Sequence, residues 1–178
     1  MREHMPELPE VETLCRQLKR VIVGREIISV EILDHRLGTL EDLVGRKISA
    51  VTRQGKSVEM KLDNDTLLLL HLRMTGKMQW QSPSRELPEH TRFTITFSHG
   101  RLLLVDTRRF ATIAMTAIGG CQALVKDPLH DFRLEELRKI ARVKKIPVKS
   151  FLMNQRLIAG IGNIYACEIL HEVSVSPW

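Results

Sequence analysis

The chain has 178 residues, of which 43% are apolar and 27% are charged, and its formal net charge is +6 at pH 7. This apolar content is enough for a packed core and excludes a chain that is disordered throughout. The sequence holds no apolar run close to the ~20 residues of a membrane span and no signal-peptide pattern, so we expect no membrane association. Three cysteines, Cys15, Cys121 and Cys167, are too few and too scattered for a disulfide framework or a four-thiolate zinc site. The few cysteines favour a reducing, cytoplasmic compartment. The positive net charge favours an anionic partner.

The first predicted element is a helix, because apolar residues between Val11 and Ile22 recur at helical spacing and Gly24 suits the helix end. Short apolar runs separated by turn residues follow, and this pattern is typical of strands in hairpins. It predicts strands at roughly 27–33, 47–53, 57–62, 66–72, 93–97, 102–105 and 111–115. Many short strands joined by tight turns favour a β-sandwich or barrel.

The strand pattern stops near Pro128, and helical spacing returns. Helices are expected at roughly 134–141, 148–153 and 163–173. The change predicts a boundary near residues 120–130, between a β-rich half and a helical half, and hence an α+β fold. The stretch from 133 to 149 holds seven basic and two acidic residues. Such a stretch is typical either of a solvated helix face or of a nucleic-acid contact.

The segment from Pro6 to Glu12 reads PELPEVE, and two interpretations of it stay open. In the first, a proline opens a helix and the acidic residues lie at its positive end. In the second, translation starts at Met5 and that methionine is removed, so that Pro6 presents a free secondary amine. Such an amine adds to a sugar aldehyde and gives a positively charged iminium, while the neighbouring Glu7 carboxylate moves protons.

Three loops carry residues with both a structural and a DNA-binding interpretation. The turn 160–163 reads Gly-Ile-Gly-Asn. It is either a tight turn between helices or a phosphate site, in which backbone N–H groups approach an anion and Asn163 adds a donor. The segment 106–110 is either a surface arginine pair with a core phenylalanine or a set of side chains that fill a gap in a base stack. His71 and Met74 follow another apolar strand, where such residues usually serve packing.

Together these segments resemble the formamidopyrimidine-DNA glycosylase and endonuclease VIII family, from Met5 to Trp178. PELPEVE is similar to the amino-terminal signature of that family. The 160–165 turn, with Asn154-Gln155 and Glu168, resembles its helix-two-turns-helix DNA-binding motif. The order of all the segments is similar as well, which a chance motif would not give.

The resemblance implies an α+β fold with two domains. An N-terminal catalytic β-sandwich with a leading helix is expected at 6–125, after an extension at 1–5, and a helix-two-turns-helix domain at 126–178. Family members continue with more helices, a loop that closes over the damaged base and a four-cysteine zinc ribbon. We therefore expect a second domain that is incomplete at its C-terminus, and no zinc or other cofactor. We also expect a monomer in a bacterial-type cytoplasm, close to the nucleoid.

The resemblance also implies base-excision repair of double-stranded DNA. Family members remove oxidised bases and then cut the strand at the abasic sugar; the pattern at Met74 and Arg109-Phe110 is more similar to the formamidopyrimidine branch, which acts on 8-oxoguanine and ring-opened purines. The catalytic roles fall to the Schiff-base nucleophile Pro6, the acid/base Glu7 and the phosphate-contacting Lys56. The DNA-binding roles fall to His71, Met74, Arg109, Phe110, Lys149, Gly162 and Asn163, and the methionine, arginine and phenylalanine fill the hole that the flipped base leaves.

One alternative stays open. If residues 1–5 remain on the chain, the Pro6 nitrogen belongs to an amide and has no available lone pair. The protein would then bind damaged DNA or abasic sites without cutting them.

Overall fold

The computed structural model describes residues 5–118, 127–130 and 132–178. A leading helix, α1, spans Leu8–Ile22. The described residues form eight strands: β1 Ser29–Ile32, β2 Ile48–Gln54, β3 Ser57–Leu62, β4 Thr66–His71, β5 Lys77–Gln81, β6 Thr91–Phe97, β7 Gly100–Val105 and β8 Thr112–Ala117. A short 3-10 helix at His35–Leu37 lies between β1 and β2, and α2 Leu134–Val143, α3 Val148–Leu152 and α4 Asn163–Glu172 follow the strands. Within these ranges no helix is both long and apolar enough to cross a membrane. Cys121 and the predicted domain boundary at 125 lie outside the described residues.

The strands form two antiparallel sheets of four strands each, in the orders β1-β6-β7-β5 and β2-β3-β4-β8. Side chains from both sheets and from α1 share one apolar core. Its fully buried members include Val11, Ile22, Met60, Leu68, Phe93 and Leu102. The predicted β-sandwich with a leading helix is therefore confirmed.

Helix α1 buries one face against the second sheet because its apolar residues lie three or four positions apart. Leu8, Val11, Cys15, Leu18 and Ile22 are all buried. The helix begins before the first residue of the predicted pattern, since proline is tolerated in the first turn, where an N–H has no helical partner. The acidic signature at its start thus lies where α1 meets the rest of the molecule.

Strand β5 was missed by the sequence interpretation. Its lysine and two glutamines alternate with Met78 and Trp80, so the segment lacks the apolar density of the other strands. Trp80 packs against Phe97 with ring centroids 5.7 Å apart, and its indole covers Gly100, where any added Cβ would overlap the ring. Strand β5 pairs with β7 in an antiparallel ladder from Lys77 opposite Val105 to Gln81 opposite Arg101, and the Trp80 side chain packs over the start of β7.

Arg53 is a buried residue that joins the two halves of the chain. Its guanidinium makes two hydrogen bonds to the Asp127 carboxylate, of 2.6 and 2.9 Å. It also donates to Glu12 of α1 at 3.0 Å and to the carbonyl of Gly55 at 2.9 Å. Asp127 in turn accepts the backbone N–H of Leu129 at 2.9 Å. These contacts hold α1, the β2–β3 hairpin and the start of the helical half in one place.

The same contacts lower the pKa of the Asp127 carboxyl. Burial alone would raise the pKa of Asp127, but the hydrogen bonds from Arg53 and from the Leu129 N–H outweigh it and keep the pKa below its ordinary value. A carboxyl whose pKa is lower in the folded than in the unfolded state stabilises the fold above its unfolded pKa of about 3.9. That contribution is lost as the pH falls through the folded value.

We predict that Asp127→Asn lowers the free energy of unfolding at pH 7 by about 3–5 kcal/mol, because it leaves the buried Arg53 charge without its bidentate partner. Urea unfolding measures the change. The difference from the unsubstituted protein should shrink at pH 3, which is below the unfolded pKa of about 3.9, so that the carboxyl of the unfolded chain takes up a proton.

Asp63→Asn is the matched control, since Asp63 lies exposed in the turn between β3 and β4. It should change the free energy by less than about 0.5 kcal/mol. Equal effects of the two substitutions, or a difference that is the same at pH 3 and pH 7, would contradict the role given to Asp127.

Candidate functional site

The Glu7 side chain is only 2% exposed, although it carries a carboxylate. Its Oε2 accepts the backbone N–H groups of Gly162 at 2.7 Å and Tyr165 at 3.2 Å, and its Oε1 accepts that of Ile164 at 2.9 Å. The first N–H groups of a helix have no partner inside the helix and carry its positive dipole. The anion at the start of α4 is thus a side chain from the other end of the chain, and these three N–H groups are already bonded.

Two glycines in the turn before α4 permit this approach. Gly160 has a φ of +93°, and a Cβ added to it would lie 2.7 Å from the Leu8 side chain. Its carbonyl accepts the Leu8 N–H at 3.1 Å. A Cβ on Gly162 would overlap the Glu7 carboxylate and would lie 2.5 Å from the Nζ of Lys56. The glycine pattern that suggested a phosphate site therefore also makes room for the N-terminal residues.

Lys56 reaches the same place from the tip of the β2–β3 hairpin. Gly55, beside it, adopts a φ of +57°, and its Cβ position would lie 3.4 Å from the Cβ of Ala159, so the tip rests against the turn. Burial lowers the pKa of the half-buried Lys56 amine, although the nearby Glu7 charge opposes the shift. Pro6, Glu7 and Lys56 thus come together where the β-sandwich meets the helical half.

His71 lies at the end of β4, beside this cluster. Its Nδ1 accepts the backbone N–H of Arg73 at 3.0 Å, which leaves Nε2 as the protonated nitrogen of a neutral ring. Burial, together with the nearby charges of Arg73 and Lys56, lowers the pKa of His71 to about 4. His71 therefore offers a neutral N–H donor at pH 7.

A second group of predicted residues lies on the loops that follow β4 and β7. The buried Asp106 joins the two loops, because its carboxylate accepts the hydroxyl of Thr75 from the first loop. In its own loop it accepts the backbone N–H groups of Arg108 at 3.2 Å and Ala111 at 2.7 Å. These hydrogen bonds outweigh the burial that would raise the pKa of Asp106, and they keep it below its ordinary value.

Met74, Arg109 and Phe110 are presented to solvent by these joined loops. Met74 is 40% exposed and Phe110 is 43% exposed, so neither belongs to the core. Phe110 lies under the Arg108 guanidinium, 4.6 Å from ring centroid to Cζ. Arg109 adopts a φ of +58°, which is uncommon for a residue with a side chain, and its Nε lies 3.4 Å from Asp34. Exposed apolar side chains on ordered loops suit contact with stacked bases.

The last two predicted residues lie on the helical half. Asn163 is the first residue of α4 and is exposed. Lys149 is a half-buried residue of α3, and its backbone N–H donates to the carbonyl of Pro177 at 3.4 Å. Within the part of the chain that the structure describes, neither side chain is hydrogen-bonded or ion-paired to Glu7 or Lys56, so both lie at the periphery of the site.

The cysteines and possible metal ligands of the described residues lie apart from one another. The described residues contain no group of three histidine, cysteine or acidic side chains placed to hold a metal. Cys15 is buried between α1 and β2, where its Sγ donates to the carbonyl of Thr52 at 3.3 Å, and burial raises the pKa of its thiol to about 12. Cys167 is exposed on α4.

Several residues that hold the site together could not be identified from the sequence pattern. Asp127 meets Arg53 across 74 positions of sequence, and no local pattern indicates such a pair. The sequence pattern places Asp106 at the start of the 106–110 segment but does not indicate that its carboxylate joins two loops. Gln155, noted only as part of a motif, holds the 160–162 turn: its amide nitrogen donates to the carbonyl of Ile161 at 2.6 Å, and its oxygen accepts the Gly160 N–H at 3.0 Å.

Comparison with known proteins supplies the family. The model of the formamidopyrimidine-DNA glycosylase N-terminal domain matches residues 5–113, and that of the formamidopyrimidine-DNA glycosylase H2TH domain matches residues 124–178. The formamidopyrimidine-DNA glycosylase of Rickettsia africae is 36% identical, over 97% of this chain and 68% of that protein. The chain belongs to the formamidopyrimidine-DNA glycosylase family, as PELPEVE and the turn before α4 indicated.

Two solved structures are similar to nearly the whole of this chain. One is the complex between Lactococcus lactis Fpg and a DNA containing an abasic site, with a TM-score of 0.89, 32% identity, and coverage of 96% of this chain and 68% of that one. The other is a variant of the same protein with a DNA containing Fapy-dG, with a TM-score of 0.89, 33% identity, and coverage of 97% and 68%. The α+β fold with a helix-two-turns-helix domain is thereby confirmed.

Proposed function

We propose that this protein excises oxidised purines, 8-oxoguanine and formamidopyrimidines, from double-stranded DNA and cuts the strand at the abasic sugar. Membership of the formamidopyrimidine-DNA glycosylase family supports this base-excision repair reaction. The observation that carries the proposal is the buried Glu7 carboxylate beside Pro6, held by the amides of α4 with Lys56 next to it. A carboxylate, a cation and a proline whose nitrogen is an amine once residues 1–5 are removed thus lie together.

Pro6 supplies the nucleophile once its nitrogen is a free secondary amine. The nitrogen bonds to C1′ of the sugar and loses its proton, and the damaged base leaves with the bonding electrons and takes up a proton. The C1′–O4′ bond then breaks, O4′ takes up a proton, and the opened sugar is an iminium between the Pro6 nitrogen and C1′. At an abasic site, the aldehyde oxygen leaves instead, as water. The resulting iminium withdraws electrons from C2′, so that a proton is lost there and the 3′ phosphate is expelled, which cuts the strand.

Glu7 carries the protons in these steps. Its two oxygens offer about four acceptor positions, and the α4 amides use two on Oε2 and one on Oε1. The carboxylate also accepts the backbone N–H of Glu10, the third residue of α1. In the proposed reaction it exchanges a proton with the substrate, and these N–H donors fix where it lies relative to Pro6, as general acid–base catalysis requires.

The other predicted residues bind the DNA. Lys56 and His71 contact the phosphates beside the reacting sugar, and Asn163 and Lys149 contact phosphates along the helical half. Gly162 acts through its missing side chain and its bond to Glu7. Met74, Arg109 and Phe110 fill the space that the flipped base leaves, which offsets part of the unstacking cost of a few kcal/mol.

The proposed chemistry needs only an amine, a carboxylate and an ammonium group, so we assign no metal or organic cofactor to it. The formal net charge of +6 suits a protein that works on a polyanion. We place it in the bacterial cytoplasm, as a monomer on nucleoid DNA. For a form that retains residues 1–5, whose Pro6 nitrogen is an amide, we propose binding of damaged DNA without cleavage.

We predict that a form beginning at Pro6 forms a covalent adduct with abasic DNA that borohydride reduces and traps. The secondary amine gives an iminium, which is the species that borohydride reduces. Pro6→Gly in the same form should trap little. The yield is measured as the fraction of labelled DNA that migrates with the protein in a denaturing gel, with and without a chelator, which should make no difference.

The form that retains residues 1–5 is the control, since its Pro6 nitrogen is acylated. It should bind the abasic DNA and give no adduct. An equal adduct yield from this extended form would show that Pro6 is not the nucleophile.

We also predict that Lys56→Ala lowers affinity for all DNA sequences alike and reduces the slope of log affinity against log salt by about 0.9, the contribution of one phosphate contact. Titration of labelled duplexes at several salt concentrations measures the slope. Lys61→Ala is the matched control, because Lys61 lies near the opposite end of β3 and pairs with Asp65. An unchanged slope for Lys56→Ala, or the same loss for Lys61→Ala, would remove Lys56 from the DNA interface.

A further inference from the structure

Glu10 and Tyr165 close a ring of hydrogen bonds around the first residues of α1. The backbone N–H of Glu7 donates to Oε2 of Glu10 at 3.0 Å, and the hydroxyl of Tyr165 donates to Oε1 of the same carboxylate at 3.2 Å. The backbone N–H of Tyr165 then donates to Oε2 of Glu7 at 3.2 Å. One tyrosine of α4 thus contacts Glu7 both directly and through Glu10.

The bond from the Glu7 N–H to Glu10 lies next to Pro6 and bears on its orientation. The Glu7 nitrogen belongs to the peptide group that joins Pro6 to Glu7, so Glu10 holds the plane of that peptide. The Pro6 ring nitrogen is attached to the other side of the same residue. An acceptor that fixes the peptide plane therefore limits the directions in which the Pro6 nitrogen points.

Tyr165 remains a donor throughout the working range of pH. Burial raises the pKa of its phenol, and the nearby charge of Glu10 and the hydrogen bond to it raise the pKa further. The hydroxyl is thus protonated at pH 7 and above. Among the described residues, the hydroxyl of Tyr165 and the N–H of Glu7 are the hydrogen-bond donors recorded for the Glu10 side chain.

The geometry points to Tyr165 as a positioning residue for the Pro6 nucleophile, acting through Glu10. This inference rests on the proposed function, since it concerns the same reaction. Because Tyr165 belongs to the helix whose exposed start is proposed to bind DNA, the ring also connects the DNA-binding edge of α4 to the orientation of the reacting nitrogen. Tyr165 itself touches neither the substrate nor the reacting atoms in this role.

The test uses the form that begins at Pro6 and measures two quantities with abasic DNA. One is the single-turnover rate of borohydride-trapped adduct formation at saturating protein, and the other is the dissociation constant. Tyr165→Phe should lower the rate about tenfold and change the dissociation constant by less than about twofold, because a small misorientation of a nucleophile affects the reaction and not the binding. Combining Tyr165→Phe with Glu10→Ala should be no worse than Glu10→Ala alone, since both break one ring.

Thr13→Val is the matched control, because Thr13 also lies on α1 and its hydroxyl donates to the carbonyl of Pro9 at 2.8 Å, outside the ring. It should leave both quantities unchanged. If Tyr165→Phe reacts at the full rate, or if rate and affinity fall together, the positioning role is wrong while trapping by the unsubstituted protein still supports the proposed function. If the unsubstituted protein forms no adduct, the proposed function fails first.

Discussion

The buried carboxylate of Glu7 is the constraint on which the rest of the site depends. A charge that is removed from water is costly unless donors replace the water. The start of a helix provides such donors, because its first N–H groups are unpaired and its dipole is positive there. Glu7 uses three of them, at Gly162, Ile164 and Tyr165, so the beginning of α1 and the beginning of α4 must lie together.

This one requirement sets the composition of the turn that precedes α4. A side chain at Gly162 would occupy the space of the Glu7 carboxylate, and a side chain at Gly160 would collide with Leu8. The same turn receives the tip of the β2–β3 hairpin, which brings Lys56 to the carboxylate. One segment thus supplies both the nucleophile Pro6 and the proton carrier Glu7, a second supplies the cation Lys56, and the two meet at the turn before α4, which is distant from both in sequence.

Arg53 joins the two halves of the chain through hydrogen bonds to three segments. Its guanidinium contacts α1 through Glu12, the hairpin through Gly55 and the helical half through Asp127. A buried ion pair of this kind adds little net stability compared with apolar packing, but removing one partner is severely destabilising. The pair therefore specifies one arrangement of the halves, and with it one arrangement of the site.

Much of this structure was predictable because it depends on local patterns. The alternation of short apolar runs and turns indicated the β-sandwich, and helical spacing indicated α1 and the final helices. The signature at Pro6–Glu12 and the turn at 160–165 indicated the family. Strand β5 could not be predicted, because its segment lacks the apolar density of the other strands and its place follows from pairing with β7.

The remainder of the site depends on contacts between residues that are distant in sequence. The sequence left open whether the turn at 160–163 is a phosphate site, and it gave no sign that the amides of Gly162, Ile164 and Tyr165 bind Glu7, 155 to 158 positions away. The pairing of Arg53 with Asp127 and the hydrogen bond between Thr75 and Asp106 are of the same kind. No periodicity or motif contains such pairs, since they follow from how the two sheets pack together and from how the β-rich and helical halves dock.

The central claim is that Pro6 is the nucleophile, and identifying the nitrogen to which the sugar is attached after borohydride reduction tests it most directly. Two amines compete for that role in this site: the Pro6 nitrogen beside Glu7, and the Lys56 amine, whose pKa is lowered by burial. The measurement is peptide mapping by mass spectrometry of the trapped adduct, made with the form that begins at Pro6. Attachment of the sugar at the Pro6 nitrogen is the predicted result, and attachment at the Nζ of Lys56 would contradict it.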